Sequence, residues 1–203
     1  MKVTGLGLRT CEMQMLNTPE FIVYTGPMFS SKTSSLLSSL ERYKYQNKRV
    51  VLYKPELDDR YSVSEVVTHG GYKMSAFCVK DGADIIKHLA TLNENPHVIA
   101  VDEAFMLPGV AKTLIWLYRN GYTVVVSSLD LSATGAVFEE IEKMMIWATK
   151  VEKCTAVCTA CGRDAPYTHK KQSGGDLIEV GGSELYEPRC FLHHLYIDKR
   201  LTD

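Results

Sequence analysis

Apolar residues fall along this chain in short runs, separated by stretches with helical spacing. FIVYTG at 21–26 is rich in β-branched and aromatic residues and ends in glycine, which predicts a buried strand. Over 32–46 the period changes, and Leu36, Leu37, Leu40 and Tyr43 fall on one face of a helix. RVVLYKP at 49–55 predicts a second buried strand, stopped by Pro55. The polar stretch 56–71 holds Asp58, Asp59, Arg60 and His69 and predicts a surface loop with short strands at most. Residues 75–79 fit a strand and 81–91 a helix. HVIAVDEA at 97–104 predicts a third buried strand, with acids at its carboxyl end. Val110, Leu114 and Leu117 form one stripe of a helix over 110–119, and TVVVSSLD at 123–130 predicts a fourth strand ending in an acid.

Buried strands alternating with amphipathic helices predict an α/β fold with a mainly parallel sheet. Near residue 150 the pattern gives way to Cys pairs, turn residues and the Gly-rich stretches SGG and GGS. The expected organisation is an N-terminal extension (1–20), an α/β domain (21–150), a small second module (151–194) and a C-terminal tail (195–203).

Composition narrows the function classes. The 203 residues carry 23 Lys+Arg against 24 Asp+Glu, and 45% are apolar, values ordinary for a soluble globular chain. A disordered tail would have fewer apolar residues and more net charge. A dedicated nucleic-acid binder would be basic, so no nucleic-acid partner is expected. No apolar run has the length of a membrane span or an export signal, which predicts no membrane partner and a reducing, cytoplasmic setting. In that setting the six cysteines, four of them in the last quarter, point to a metal more than to disulfides.

The first constellation is a phosphate loop. A strand, then Gly26, Pro27, Met28, Phe29, Ser30, Ser31, Lys32, Thr33 and Ser34, then a helix is the setting in which backbone N–H groups cradle phosphate oxygens. Lys32 is expected to reach the β- and γ-phosphates of ATP, and the Thr33 hydroxyl to ligate Mg²⁺. The pattern calls for Gly before the Lys, and this chain has Ser31. A positive φ at Ser31 would cost about 1 kcal/mol or more. Asp102, after an apolar strand, is suited to hold Mg²⁺, and Glu103 beside it to take a proton from an attacking hydroxyl.

The second constellation is Cys158-x-x-Cys161 with Cys190-x-x-His193. Each pair spans a tight turn, so four ligands can converge tetrahedrally on a structural Zn²⁺. His194 competes with His193 as the fourth ligand, and Cys154 reads as a small packing residue.

GPMFSSKTS, DDRYS, VDEA, TAVCTACGRDAPYT and VGGSELYEPRC, in this order and spacing, resemble the zinc-containing thymidine kinases over about residues 21–193. The resemblance implies a RecA-like P-loop domain with a small zinc-ribbon-like lasso domain that closes over the nucleoside. It implies transfer of the γ-phosphoryl of ATP to the 5′-hydroxyl of thymidine or deoxyuridine, with Mg²⁺, to give dTMP in nucleotide salvage for DNA synthesis. It also implies a homotetramer and feedback inhibition by dTTP. By position, Glu103 matches the general base, Asp102 the acid associated with Mg²⁺, Arg60 the arginine supporting the transferring phosphoryl and Asp58 the acid near the metal. Met28, Phe138 and Tyr186 match residues lining the base pocket. Arg163 and Thr168, with Val180 and Gly182 on the second arm, match the lasso that reads the base.

Three departures bear on this reading. Ser31 replaces a Gly. Phe105 replaces a Gln, with Met106 at the aromatic position after it. Ala133 stands where most members place a Phe. They keep open altered nucleoside specificity and a catalytically weak nucleotide-binding regulator. Kinases of another small hydroxyl or of a nucleoside monophosphate are further alternatives, although a Glu beside the acid favours a hydroxyl acceptor.

Overall fold

The computed structural model describes residues 18–58, 65–67, 70–172 and 180–194. The chain opens with β1 (Phe21–Thr25), α1 (Lys32–Tyr45) and β2 (Val50–Pro55), followed by a hairpin of β3 (Glu65–Val67) and β4 (Lys73–Ser75). Next come β5 (Phe77–Val79), α2 (Gly82–Leu89), β6 (Val98–Val101), α3 (Val110–Arg119), β7 (Thr123–Ser128), α4 (Glu139–Trp147) and β8 (Lys150–Lys153). Six strands form one sheet in the order β5-β2-β6-β7-β1-β8, and every pairing in it is parallel.

β1, β6 and β7 are buried along their whole length, which is why each reads as a continuous apolar run. Their alternate residues feed two cores. Ile22, Tyr24, Leu52, Ala100 and Val125 meet Leu36, Leu37 and Leu40 of α1 on one face. Phe21, Val23, Ile99, Val101 and Val124 meet Ile85, Leu114 and Ile141 of the three other helices on the opposite face. The β3–β4 hairpin adds Val66 and Met74 to the α1 side. Parallel pairing brings the carboxyl ends of β1, β6 and β7 to one edge, where Thr25 lies opposite Ser128 and Val101 opposite Val126. Ligand sites of such sheets lie at that edge.

The sheet extends beyond the break in pattern at residue 150, because β8 pairs with β1 as an edge strand. Beyond it, β9 (Ala156–Val157) pairs with β10 (Asp164–Ala165), and β11 (Tyr167–Lys170) with β12 (Tyr186–Arg189), both antiparallel. A small core of Ala156, Cys158, Ala165 and Cys190 fills this second module. Among the described residues no helix is long and apolar enough to cross a membrane.

Leu114 is fully buried between α3 and the sheet. Leu114→Ala should cost about 2–5 kcal/mol through lost transfer energy and a residual cavity. Urea unfolding with an unchanged m-value would measure it, and an unaffected midpoint would contradict this packing.

Candidate active site and metal cluster

The loop between β1 and α1 is shaped by three positive-φ residues: Gly26 (φ 135°), Phe29 (φ 66°) and Ser31 (φ 61°). At Gly26 a Cβ would run into the Cys154 carbonyl. The Cys154 N–H donates to the Thr25 carbonyl at 2.7 Å, so the exit of β8 presses directly on the loop. Ser31, immediately before α1, takes the left-handed conformation that glycine adopts without steric cost. The strain foreseen for a serine at that position is therefore present. Ser30 Oγ donates to the Pro27 carbonyl at 2.8 Å, and Lys32 Nζ donates to the same oxygen. The buried Lys32 ammonium thus curls over the loop that would carry the phosphates. Burial pushes its pKa below the ordinary value, and the carboxylates of Glu103 and Asp102 pull it back.

Asp102 follows β6 and is buried. Its carboxylate accepts from Ser127 Oγ of β7, and from Thr33 Oγ1 of α1 at 3.2 Å to each oxygen. Desolvation, then repulsion from Glu103, pushes its pKa up to about 7; the Ser127 and Thr33 hydroxyls oppose this, and Asp58 adds to it. The Thr33 hydroxyl and Asp102 carboxylate converge as hard oxygen donors, the set that Mg²⁺ takes beside nucleotide phosphates. Glu103 has φ 49°, again left-handed, which turns the chain at the strand end.

A cleft opens along this edge and brings together the loop residues 28–34, Lys54, Asp58, Asp102, Glu103 and Gly182. Arg60 lies outside the described residues. The sequence reading missed Lys54 of this group, and Ser127, which donates to Asp102 beneath it. Lys54 is only 3% exposed and is the cation inside the apolar run VVLYKP. Ser127 is the hydroxyl inside TVVVSS. A polar residue within a buried strand is the signal that identifies both.

The second module reaches this site through Thr168 of β11, whose Oγ1 accepts from the Met28 N–H at 2.9 Å. Tyr186 of β12 is buried, whereas Val180 is 36% exposed. Arg163 is exposed and stands in the Cys158 turn, where its carbonyl accepts from the Cys158 N–H. Phe105 and Phe138 pack with ring centroids 4.8 Å apart, and the Phe105 N–H donates to Ser128 Oγ at 3.1 Å. The aromatic gained at Phe105 is therefore seated against the aromatic retained at Phe138.

The ligand atoms of Cys158, Cys161, Cys190 and His193 lie within 4.8 Å of one another. Cys161 Sγ is 3.7 Å from Cys190 Sγ, and His193 Nδ1 is 3.8 Å from Cys158 Sγ and 3.1 Å from Cys190 Sγ. Zinc–thiolate bonds at tetrahedral angles would separate two sulfurs by about 3.8 Å, so the donor set fits that ion. Burial pushes the Cys158 thiol up, but N–H groups of Cys190, Ala160 and Cys161 outweigh it and bring the pKa to about 6. A thiolate is the form that binds a metal. His194 is excluded from the cluster: it is buried and its Nε2 donates to the Thr168 carbonyl at 2.8 Å. Cys154 packs against the α1 core.

Residues 20–194 match the family model for thymidine kinase. The thymidine kinase of Thermococcus kodakarensis is 38% identical over 187 residues, which cover 87% of this chain and 94% of that protein. The thymidine kinase of Pyrobaculum aerophilum is 35% identical over 183 residues, covering 86% and 97%. Among solved structures, the X-ray structure of the Legionella pneumophila ATPase DotB aligns with 79% of this chain and 47% of its own, at 15% identity and a TM-score of 0.43.

Two outcomes are expected from this geometry. Ser31→Gly should raise stability by about 1 kcal/mol, because the left-handed conformation then carries no Cβ penalty. Chemical denaturation would register it, and a loss of stability would contradict the strain assigned to Ser31. Metal analysis should find one zinc per chain, lost in the Cys158→Ser, Cys161→Ser double variant. A folded, zinc-free wild type would discard the metal cluster.

Proposed function

This chain belongs to the thymidine kinase family, and from that premise we propose how its cleft carries the reaction. The protein is an ATP-dependent kinase that phosphorylates thymidine. The observation supporting the site assignment is the convergence of a strained phosphate loop, Lys32, Thr33, Asp102 and Glu103 on one cleft. The backbone N–H groups of residues 29–34 and the Lys32 ammonium hold the β- and γ-phosphates of ATP. Lys32 exchanges the Pro27 carbonyl for phosphate oxygens as it does so. Thr33 and Asp102 are the residues that would hold Mg²⁺, which would supply neutralisation of charge on the transferring phosphoryl. Glu103 accepts the 5′-hydroxyl proton as that oxygen attacks the γ-phosphorus, the bond from that phosphorus to the β–γ bridging oxygen breaks, and ADP leaves. Asp58 borders the same cleft, and Arg60 supports the phosphoryl by analogy with the family motif.

Met28, Phe105, Phe138, Tyr186, Thr168, Val180, Gly182 and Arg163 form the nucleoside side of the proposal. The Met28–Thr168 hydrogen bond supports it, since it joins the phosphate loop to the module that reads the base. The domains are read as a P-loop unit that starts at 21 and runs past 150 to include β8, the lasso module from there to 194, and terminal segments over 1–20 and 195–203. Cys158, Cys161, Cys190 and His193 would hold a structural zinc in the lasso module. The family reading extends to a homotetramer, feedback by dTTP, a cytoplasmic location and a salvage role in DNA synthesis. A second reading, a shifted base preference, is favoured by one observation: Phe105, which stands where the family motif has Gln, packs on Phe138.

With thymidine and labelled ATP, Glu103→Gln should lower kcat about 10²-fold or more while ATP affinity is retained. Near-normal turnover would remove Glu103 as the base.

A further inference from the structure

A chain of contacts joins the metal cluster to the phosphate loop. His194 directly follows His193, one of the four cluster residues. Its side chain is buried, with 2% of the residue exposed, and Nε2 donates to the Thr168 carbonyl at 2.8 Å. The ring is gripped edge-on by Tyr167 and His169, with centroids 5.7 Å and 5.1 Å away. Thr168 is thus held at its carbonyl by His194, while its hydroxyl accepts from the Met28 N–H at 2.9 Å. Met28 lies between Pro27, whose carbonyl takes the Lys32 ammonium, and Phe29, which is left-handed. A displacement of β11 would therefore be felt at the most strained part of the loop.

We propose that His194 is a positioning residue: it ties β11 to the metal cluster so that the Thr168 hydroxyl holds Met28 in the loop conformation that binds nucleoside and ATP. The proposal rests on the functional reading of Met28 given above. Its energetic basis is that removing a donor from a buried carbonyl costs more than the bond itself is worth, because the desolvated oxygen gains no water in exchange. A role in packing alone would depend on the shape of the ring, whereas a positioning role depends on the N–H. Gln supplies an N–H at similar reach; Leu and Met fill space without one.

His194→Leu, His194→Met and His194→Gln are compared with wild type as zinc-loaded, full-length protein. Zinc content, KM for thymidine and for ATP, kcat, and amide exchange of Met28 are measured. Both apolar variants should keep one zinc, raise KM for thymidine roughly tenfold and speed Met28 exchange by a similar factor. His194→Gln should restore most of both. The same values in all three variants, wild-type exchange in the apolar pair, loss of zinc, or unfolding of both apolar variants would overturn the proposal. The exchange measurement needs no turnover, so failure of the thymidine assignment and failure of this link are separate results.

Discussion

The buried carboxylate of Asp102 is held by hydroxyls from two other elements, and the arrangement of the cleft follows from keeping it there. A carboxylate taken out of water with no partner would be protonated or would destabilise the fold by several kcal/mol. Ser127 comes from the neighbouring strand β7 and Thr33 from the first turn of α1, so the bond set exists only when β6, β7 and β1 end at one level. The parallel order β6-β7-β1 provides that alignment. The same alignment sets Lys32 and Glu103 beside Asp102, and each alters the charge balance of the others. Fold and chemistry therefore share one constraint: three strand ends, one desolvated acid and the cation that a phosphate would meet.

The phosphate loop has a second support from outside the P-loop unit. Gly26 accommodates the Cys154 carbonyl where a Cβ would collide, and Met28 is held by Thr168. A loop with two left-handed non-glycine residues, Phe29 and Ser31, keeps its shape only where the surroundings over-determine it. The second module supplies part of that determination, which gives a physical reason for a closed Cys₃His cluster close to a kinase cleft. A zinc ion held by these four residues would have no open position for chemistry; it would fix the frame from which β11 reaches the loop.

Much of this was legible from residue order. Fully buried strands announce themselves as apolar runs, and GPMFSSKT, VDE and the paired Cys spacing mark the groups that converge. The left-handed φ of Ser31 followed from the glycine that the loop pattern calls for there. What escaped was tertiary in origin. β8, of sequence KVEK, is a mostly exposed edge strand, and its apolar content is too low to signal pairing with β1. Cys190-x-x-His193 put His193 in the ligand set with His194 as its competitor, and the geometry agrees with His193. Lys54 and Ser127 are single polar residues within buried strands, and only the fold shows which way they face. Arg60 and the Gly-rich run at 173–175 lie outside the described residues.

The departures at Phe105 and Ala133 bear directly on the choice of nucleoside. Phe105 packs on Phe138, so the aromatic at 105 adds to the one at 138. The most direct measurement is phosphoryl transfer from labelled ATP, with Mg²⁺, to equal concentrations of thymidine, deoxyuridine, deoxycytidine and the purine deoxynucleosides in competition. The account predicts label on the 5′-oxygen of thymidine first and deoxyuridine next. Label on a purine nucleoside ahead of thymidine, or on no nucleoside at all, would contradict it.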